Sequence, residues 1–356
     1  MSKGKILVTG GCGYIGSHTI VDLIDSGYDV VSIDNFVNST PAALKGIEKI
    51  TGKKIENINA DLRNTSYAIE QASRLGQFDG IIHFAALKSV EESVYHPVRY
   101  FQNNIGSTIT TLKMMEELNI PHLIFSSSCT VYGSPEKLPV NEDTPINKAE
   151  NPYGATKQAC EILYEQYVNA QHKSHASGSP GSSASSVISL RYFNPAGAHT
   201  SALLGESSLN APTNLVPVIT ETAIGLREEL IVYGYDYPTR DGSCVRDYIH
   251  VMDLARAHTI ALEQLLSQKE KQPYEVYNLG IGEGVTVLEA IHAFESATGV
   301  KLNYKTGPRR AGDVAAIYAD NTRIEQQLKW KPAMDISAIM SSAWEWEKAR
   351  RNALPS

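Results

Sequence analysis

From its amino end the chain alternates short apolar runs with amphipathic stretches. Lys5 to Thr9 (KILVT) is a β-rich run, and four glycines follow within the seven residues 10–16. Ile15, Ile20, Leu23 and Ile24 then recur at helical spacing, and Gly27 supplies a stop. Tyr28 to Ile33 (YDVVSI) reads as the next strand. Strand, glycine turn, helix, strand is the opening of a parallel βαβ unit. The theme returns in Asp79 to Phe84, His122 to Ser126 and Val187 to Arg191, with helical patterns over Val98 to Leu118 and Tyr153 to Ala170. Runs that are apolar throughout suit strands covered on both faces of a parallel sheet.

Two regions break the pattern. Gln171 to Ser186 (QHKSHASGSPGSSASS) has little to bury and is expected to be a flexible surface insertion. The last third is richer in Pro and Gly, carries Arg227, Arg240, Arg246, Arg309 and Arg310, and does not continue the simple alternation. No internal repeat of 20–50 residues is visible.

The glycines carry the first chemistry. Both Gly11-x-Gly13-x-x-Gly16 and Gly10-x-x-Gly13-x-x-Gly16 fit a dinucleotide fingerprint. Glycine permits the tight turn, lets a pyrophosphate approach bare backbone, and lets the helix pack close to the strand with its amides aimed at the anion. Asp34, at the end of the next strand, suits a ribose diol and repels a 2′-phosphate, which favours NAD over NADP. The expected fold class is therefore α/β, a doubly wound parallel sheet of Rossmann type with a smaller mixed α/β substrate domain. Residues 1–196 are assigned to the NAD-binding domain, with the insertion at 171–186. Residues 197–356 are assigned to the second domain, with a segment near 237–265 returning to the first.

Tyr153-Gly-Ala-Thr-Lys157 puts a phenol and an ammonium on one helix face. A phenol with a pKa near ~10 is a poor base at neutral pH. A fixed cation one turn away, with a bound oxidised nicotinamide pushing the same way, is expected to pull that value down and make Tyr153 a general base for a sugar hydroxyl. Ser126-Ser127-Ser128-Cys129-Thr130 lies at the end of the HLIF strand, where ligands gather in open parallel sheets. Ser128 is expected to hydrogen-bond the reacting hydroxyl, and Ser127 to do no more than close the strand.

Composition narrows the classes. The 356 residues are 42% hydrophobic and 20% charged, with net charge −7, which suits a globular protein and argues against a nucleic-acid footprint. No secretory signal and no window near the ~18 apolar residues of a membrane span is found. Cys12, Cys129, Cys160 and Cys244 have no ligand-like spacing, so reduced thiols, no metal and a cytoplasmic location are expected.

Taken together, several stretches resemble the UDP-glucose 4-epimerases of the extended short-chain dehydrogenase/reductase family. They are TGGxGYIGSH at 9–18, Asp34-Asn35, HFAALK at 83–88, SSSxTVYG at 126–133, PYGxTK at 152–157, RYFNP at 191–195, VRDYIHVMDL at 245–254 and YNLG at 277–280. The likeness runs almost end to end and lapses over 171–186. It implies that Gly10, Gly13, Tyr14, Ile15 and Gly16 hold the pyrophosphate of NAD, Asp34 and Asn35 the adenosine ribose, and Asp61 and Leu62 the adenine. Phe84, Ala85, Ala86, Lys88, Asn103, Ser126 and Tyr192 would complete the cofactor lining. Tyr153, Lys157 and Ser128 would be catalytic. Asn194, Asn214, Leu215, Tyr233, Arg246, Arg310 and Asp313 match the UDP-sugar site, in keeping with forked guanidiniums for a diphosphate. For Arg246 a plain salt bridge to Asp247 is the competing reading.

The implied reaction interconverts UDP-glucose and UDP-galactose. C4 is oxidised to a 4-keto sugar, the sugar turns while its UDP handle stays held, and it is re-reduced with tightly bound NAD. Ile317 stands four places after the acid of RRAGD, where the family sets sugar size, and suggests some tolerance of UDP-N-acetylhexosamines. The resemblance also implies a homodimer through the 98–118 and 153–170 helices. Three alternatives stay open: a nucleotide-sugar dehydratase or decarboxylase on the same fold, against which the lack of an acid in Ser127 to Thr130 speaks; a non-catalytic NAD-binding regulator; and a dehydrogenase that exchanges its cofactor.

Overall fold

The computed structural model describes residues 2–176, 185–207, 212–267, 272–310 and 313–352. The first part of the chain runs β1 (Lys5–Thr9), α1 (Tyr14–Asp25), β2 (Asp29–Ile33), α2 (Ala42–Thr51), β3 (Glu56–Ile58), α3 (Thr65–Ser73), β4 (Gly80–His83), α4 (Val90–Tyr95), α5 (Pro97–Glu117), β5 (His122–Ser128), α6 (Pro152–Ala176) and β6 (Ser186–Tyr192). It continues with β7 (Asn194–Ala196), α7 (Leu215–Ala223), β8 (Leu230–Tyr233), β9 (Val245–Arg246), β10 (Tyr248–His250), α8 (Val251–Ser267) and β11 (Tyr274–Leu279). The last elements are β12 (Val285–Thr286), α9 (Val287–Thr298), β13 (Tyr304–Gly307), β14 (Ala316–Ile317), α10 (Thr322–Leu328) and α11 (Ile336–Asn352).

Seven strands form one sheet in the order β11-β6-β5-β4-β1-β2-β3. β1 pairs parallel with both β2 and β4, β2 with β3, and β4 with β5. The order reverses around β1, which makes the carboxyl ends of β1 and β4 the switch point where such sheets bind ligands. Ile6, Leu7 and Val8 are fully buried, as expected of a central strand covered on both faces.

By compactness the chain divides into two units. The first comprises Met1–Ser134, Thr144–Arg191 and Ala255–Tyr277, and the second Pro135–Asp143, Tyr192–Leu254 and Asn278–Ser356. The core of the first gathers Leu7, Ile33, Ile81, Phe125 and Tyr164 under its sheet and helices. That of the second joins Ile219, Val232, Ile291, Phe294 and Met340, and its sheets have two or three strands. Its α9 is well delimited, with a Thr286–Glu289 capping box at one end and left-handed Gly299 at the other.

α6 runs to Ala176, six residues beyond the end its apolar pattern predicts. Residues 171–176 lack an apolar stripe but remain helical, with Lys173 and His175 in the last turn complementing the helix dipole. The rest of the expected insertion, 177–184, lies outside the described residues. No described helix is long and apolar enough to cross a membrane.

Candidate active site

The turn between β1 and α1 is built as bare backbone. Gly10 adopts φ +70°, and a Cβ there would lie 2.8 Å from the Ala85 amide nitrogen. Gly13 N donates to the Gly10 carbonyl at 3.0 Å, and a Cβ on Gly16 would collide with that same carbonyl. α1 therefore starts against the end of β1, with Gly13 at its N-cap making no side-chain cap hydrogen bond and no acid in its first turn. That is a donor cradle suited to a pyrophosphate.

Asp34 stands beside this cradle and is tied to it. Its Oδ2 accepts from Cys12 N at 3.0 Å, and its Oδ1 accepts from Phe36 N at 2.9 Å and Ser39 Oγ at 2.7 Å. Asn35 is exposed and its Oδ1 accepts from Val37 N. Asp61 is gripped by Arg63 through Nε at 3.0 Å and Nη2 at 2.6 Å, which holds its carboxyl below the usual range, while Leu62 is buried. Phe84, Ala85 and Ala86 follow β4 half-buried, and Lys88 is exposed. The cradle, the carboxylate at the end of β2 and the half-buried strip after β4 fit a dinucleotide.

The catalytic candidates meet at the end of β5. Lys157 is buried, and its Nζ donates to the Ser126 carbonyl at 2.5 Å and lies 4.7 Å from the Phe125 ring centroid and 5.8 Å from that of Tyr153. Burial lowers its pKa to about 8, with Cys160 and Glu161 pulling the other way. The Tyr153 phenol is pushed above its ordinary value by burial, and a hydrogen bond to Ser128 only partly opposes this. The expected lowering of this phenol rests on the Lys157 ammonium together with a bound oxidised nicotinamide; in the chain by itself desolvation outweighs the ammonium, whose Nζ donates to the Ser126 carbonyl. Ser128 Oγ also accepts from Thr130 N at 3.2 Å and Thr130 Oγ1 at 3.0 Å. Beneath this group His83 is buried against Thr9 Oγ1 at 2.6 Å and stacks on Phe125, and burial drives its pKa down to about 3.

Several supporting residues were not singled out from the sequence. Asn104, buried next to Asn103 on α5, accepts from Leu87 N at 2.8 Å and donates to Leu87 O at 3.1 Å and Thr156 Oγ1 at 3.0 Å. Thr156 in turn donates to the Tyr153 carbonyl at 2.7 Å. Asn104 thus ties the strip after β4 to the first turn of α6. Ser127 has more than a turn-closing part, since its Oγ donates to Glu161 Oε1 at 2.5 Å.

In the second unit Tyr192 is buried, and Asn194 opens β7, its amide donating to the Asp247 carbonyl at 2.9 Å. Asn214 precedes α7, with Leu215 at its first position, and the Asn214 amide donates to Glu206 at 3.0 Å. Arg310 lies 4.6 Å from the Tyr233 ring centroid, covering one face of it. Arg246 does not pair with Asp247. Its Nη1 donates to the carbonyls of Val245 at 2.9 Å and Val314 at 2.8 Å, and its Nη2 reaches Asp313 at 3.4 Å. Asp247 instead accepts from the amides of Ile281 at 2.6 Å, Ala319 at 3.0 Å and Gly282 at 3.1 Å, and burial raises its pKa to about 6. Ile317 is buried, paired in register with Arg246. Arg246, Asp313 and Ile317 thus come together, as do Tyr233 and Arg310.

A family model described as GDP-mannose 4,6 dehydratase matches residues 7–343. The bifunctional UDP-glucose 4-epimerase and UDP-xylose 4-epimerase 1 of Pisum sativum is 44% identical over 98% of this chain and 96% of its own length. The UDP-glucose 4-epimerase of Bacillus subtilis is 42% identical over 99% of each chain. The crystal structure of the Bifidobacterium longum UDP-glucose 4-epimerase in complex with NAD+ and UDP superposes with TM-score 0.88 at 42% identity, covering 98% of this chain and 100% of that one. That from Stenotrophomonas maltophila, with NAD and formylated UDP-arabinopyranose, gives TM-score 0.91 at 41% identity, covering 99% and 100%. Identity of this order across both units, with the glycine cradle, Ser128, Tyr153 and Lys157 in place, makes the chain a member of the UDP-glucose 4-epimerase family.

Proposed function

We propose that this chain interconverts UDP-glucose and UDP-galactose, oxidising C4 of the sugar to a 4-keto intermediate and re-reducing it from the opposite face with tightly bound NAD. The observation that carries this reading is the meeting of Ser128, Tyr153 and Lys157 at one strand end in the same unit as the bare-backbone cradle. NAD, when bound, supplies reversible hydride acceptance at C4. Gly10, Gly13, Tyr14, Ile15 and Gly16 are read as its pyrophosphate site, Asp34 and Asn35 as the adenosine ribose site, and Asp61 and Leu62 as the adenine edge. Phe84, Ala85, Ala86, Lys88, Asn103, Ser126 and Tyr192 complete the lining.

The chain's own part is proton handling and orientation. Ser128 hydrogen-bonds the C4 hydroxyl and Tyr153 takes its proton, returning it when the sugar is reduced again. Tyr153 is protonated at neutral pH in the chain as described, so its work as a base needs positive charge brought close to it. Lys157 is the chain's own contribution to that charge and holds the nicotinamide ribose. Dehydration would need a further carboxyl group here. The carboxylate at this strand end, Glu161, has its oxygens engaged by Arg191 and Ser127, which disfavours dehydratase chemistry.

The UDP handle is assigned to Asn194, Asn214, Leu215, Tyr233, Arg246, Arg310 and Asp313, with Ile317 beside the sugar and some turnover of UDP-N-acetylhexosamines. The chain is read as a cytoplasmic homodimer. Val94 on α4, Val98 on α5 and Ile162 on α6 are apolar side chains each more than half exposed, at 57%, 68% and 58%. The test is to mix purified protein, with no added nucleotide, with UDP-galactose and separately with UDP-N-acetylgalactosamine, and to read the products by proton NMR. UDP-glucose should form without free NADH. No product, or NADH released in step with turnover, would overturn the reading.

A further inference from the structure

A lysine and a glutamate four residues apart on a helix are neighbours close enough to pair with each other. Lys157 and Glu161 occupy such positions on α6 and do not pair. Lys157 goes to the Ser126 carbonyl at 2.5 Å. Glu161 gives Oε2 to Arg191 Nη2 at 2.6 Å, and Oε1 to Arg191 Nε at 2.9 Å and to Ser127 Oγ at 2.5 Å. All four side chains are buried. Arg191 is itself fixed on β6, with Nη1 donating to Tyr132 Oη at 3.1 Å and its guanidinium 5.0 Å from the Tyr132 ring centroid.

A buried carboxylate draws the nearest cation, and here two are within reach. Facing Lys157 are Tyr153, Cys160 and Glu161 on its own helix and His83 on β4. Facing Glu161 are Arg191 on β6 and Tyr274 on β11. The forked guanidinium satisfies both carboxylate oxygens at once, which an ammonium cannot do.

We propose that Arg191 is a positioning residue for Lys157. By occupying both oxygens of Glu161, it prevents that carboxylate from capturing the ammonium, which stays at the Ser126 carbonyl where the nicotinamide ribose is read to lie. The inference rests on the reading of Lys157 as a cofactor-holding group. It makes Glu161–Arg191 a device for placing a charge one helical turn away, distinct from its contribution to stability.

The experiment measures exchange of bound NAD against labelled NAD, with the thermal unfolding midpoint followed separately. Exchange should be at least tenfold faster in R191M than in the unaltered protein. It should return to within threefold in R191M/E161L, where no carboxylate remains to compete and the buried pair is replaced by apolar groups. A pair that only stabilises the fold would give exchange that tracks the midpoint and no such rescue. If R191M does not fold, R191K serves: it keeps the charge and loses the fork. Its exchange should then be several-fold faster, and E161Q in that background should reverse the effect. Unaltered exchange in the single variant, or a folded double variant as fast as the single one, overturns the inference. Unaltered protein that holds no NAD at all overturns the functional reading beneath it, and the inference with it.

Discussion

The Lys157 ammonium donates to the carbonyl of Ser126 at 2.5 Å, so the cation four residues after Tyr153 is anchored to the end of β5 and not to the phenol. Tyr153 therefore depends on charge assembled around it. Tyr153→Phe removes the proton acceptor and leaves the ring and the cradle in place. Turnover should fall roughly 10²–10⁴-fold, the usual worth of a positioned acid–base group, while NAD content is unchanged. Product sugars read by NMR, with NAD measured after denaturation, check both halves. Near-normal turnover would show that another group moves the proton.

The ammonium itself is titratable in an unusual range. With a pKa of about 8, Lys157 loses its proton as pH rises through that value, whereas an ordinary lysine keeps it to above 10. Cofactor binding that engages the ammonium should therefore draw in a fraction of a proton near pH 8–9. Calorimetry of NAD binding to stripped protein in two buffers of different ionisation enthalpy measures this uptake. Lys157→Met should abolish it.

His83 gives a pH dependence of stability. Its pKa in the folded chain is about 3, well below the 6.5 of a free histidine. As pH falls below 6.5 the unfolded chain takes up this proton and the folded chain does not, so stability declines through the window down to about pH 3. The His83 ring signals should remain those of neutral imidazole from pH 8 to pH 5. A midpoint near 6 would contradict the burial argument. His83→Gln should flatten the acid limb of the stability curve.

Gly16 tests the cradle. Any Cβ there collides with the Gly10 carbonyl, so Gly16→Ala must displace α1 or the turn. A cost of about 1–3 kcal/mol in stability is expected from such overpacking, with a larger proportional loss of NAD retention. Denaturant unfolding and NAD content after gel filtration separate the two effects.

The exposed apolar residues of α4, α5 and α6 test self-association. Ile162→Glu places a charge on a residue that is 58% exposed, and should leave the fold unchanged while shifting the protein toward monomer in sedimentation at micromolar concentration. Monomer in the unaltered protein would refute the dimer.

The cradle and the Tyr153–Lys157 spacing were legible because both are local demands, one for missing side chains and one for a helical turn. The doubly wound sheet followed from runs such as Ile6 to Val8 that are apolar on both faces. What escaped were partners distant in sequence: Glu161 with Arg191, 30 positions apart, and Asn104 with Thr156, 52 apart, are single polar residues that no periodicity marks. The Arg246–Asp247 pair suggested by adjacency fails for a general reason, since successive residues of an extended chain point to opposite faces. The helical end of α6 was missed because an apolar stripe is a sufficient sign of a helix and not a necessary one.

The double duty of Asp34 limits how readily the enzyme's nucleotide preference can be redesigned. The carboxylate assigned to discriminate against a phosphorylated ribose is also a strut for Cys12 and for Ser39. Exchanging it for a neutral or basic side chain would slacken the adjoining pyrophosphate seat together with the selectivity. A switch of coenzyme would therefore need a replacement tether for that turn, installed in the same step.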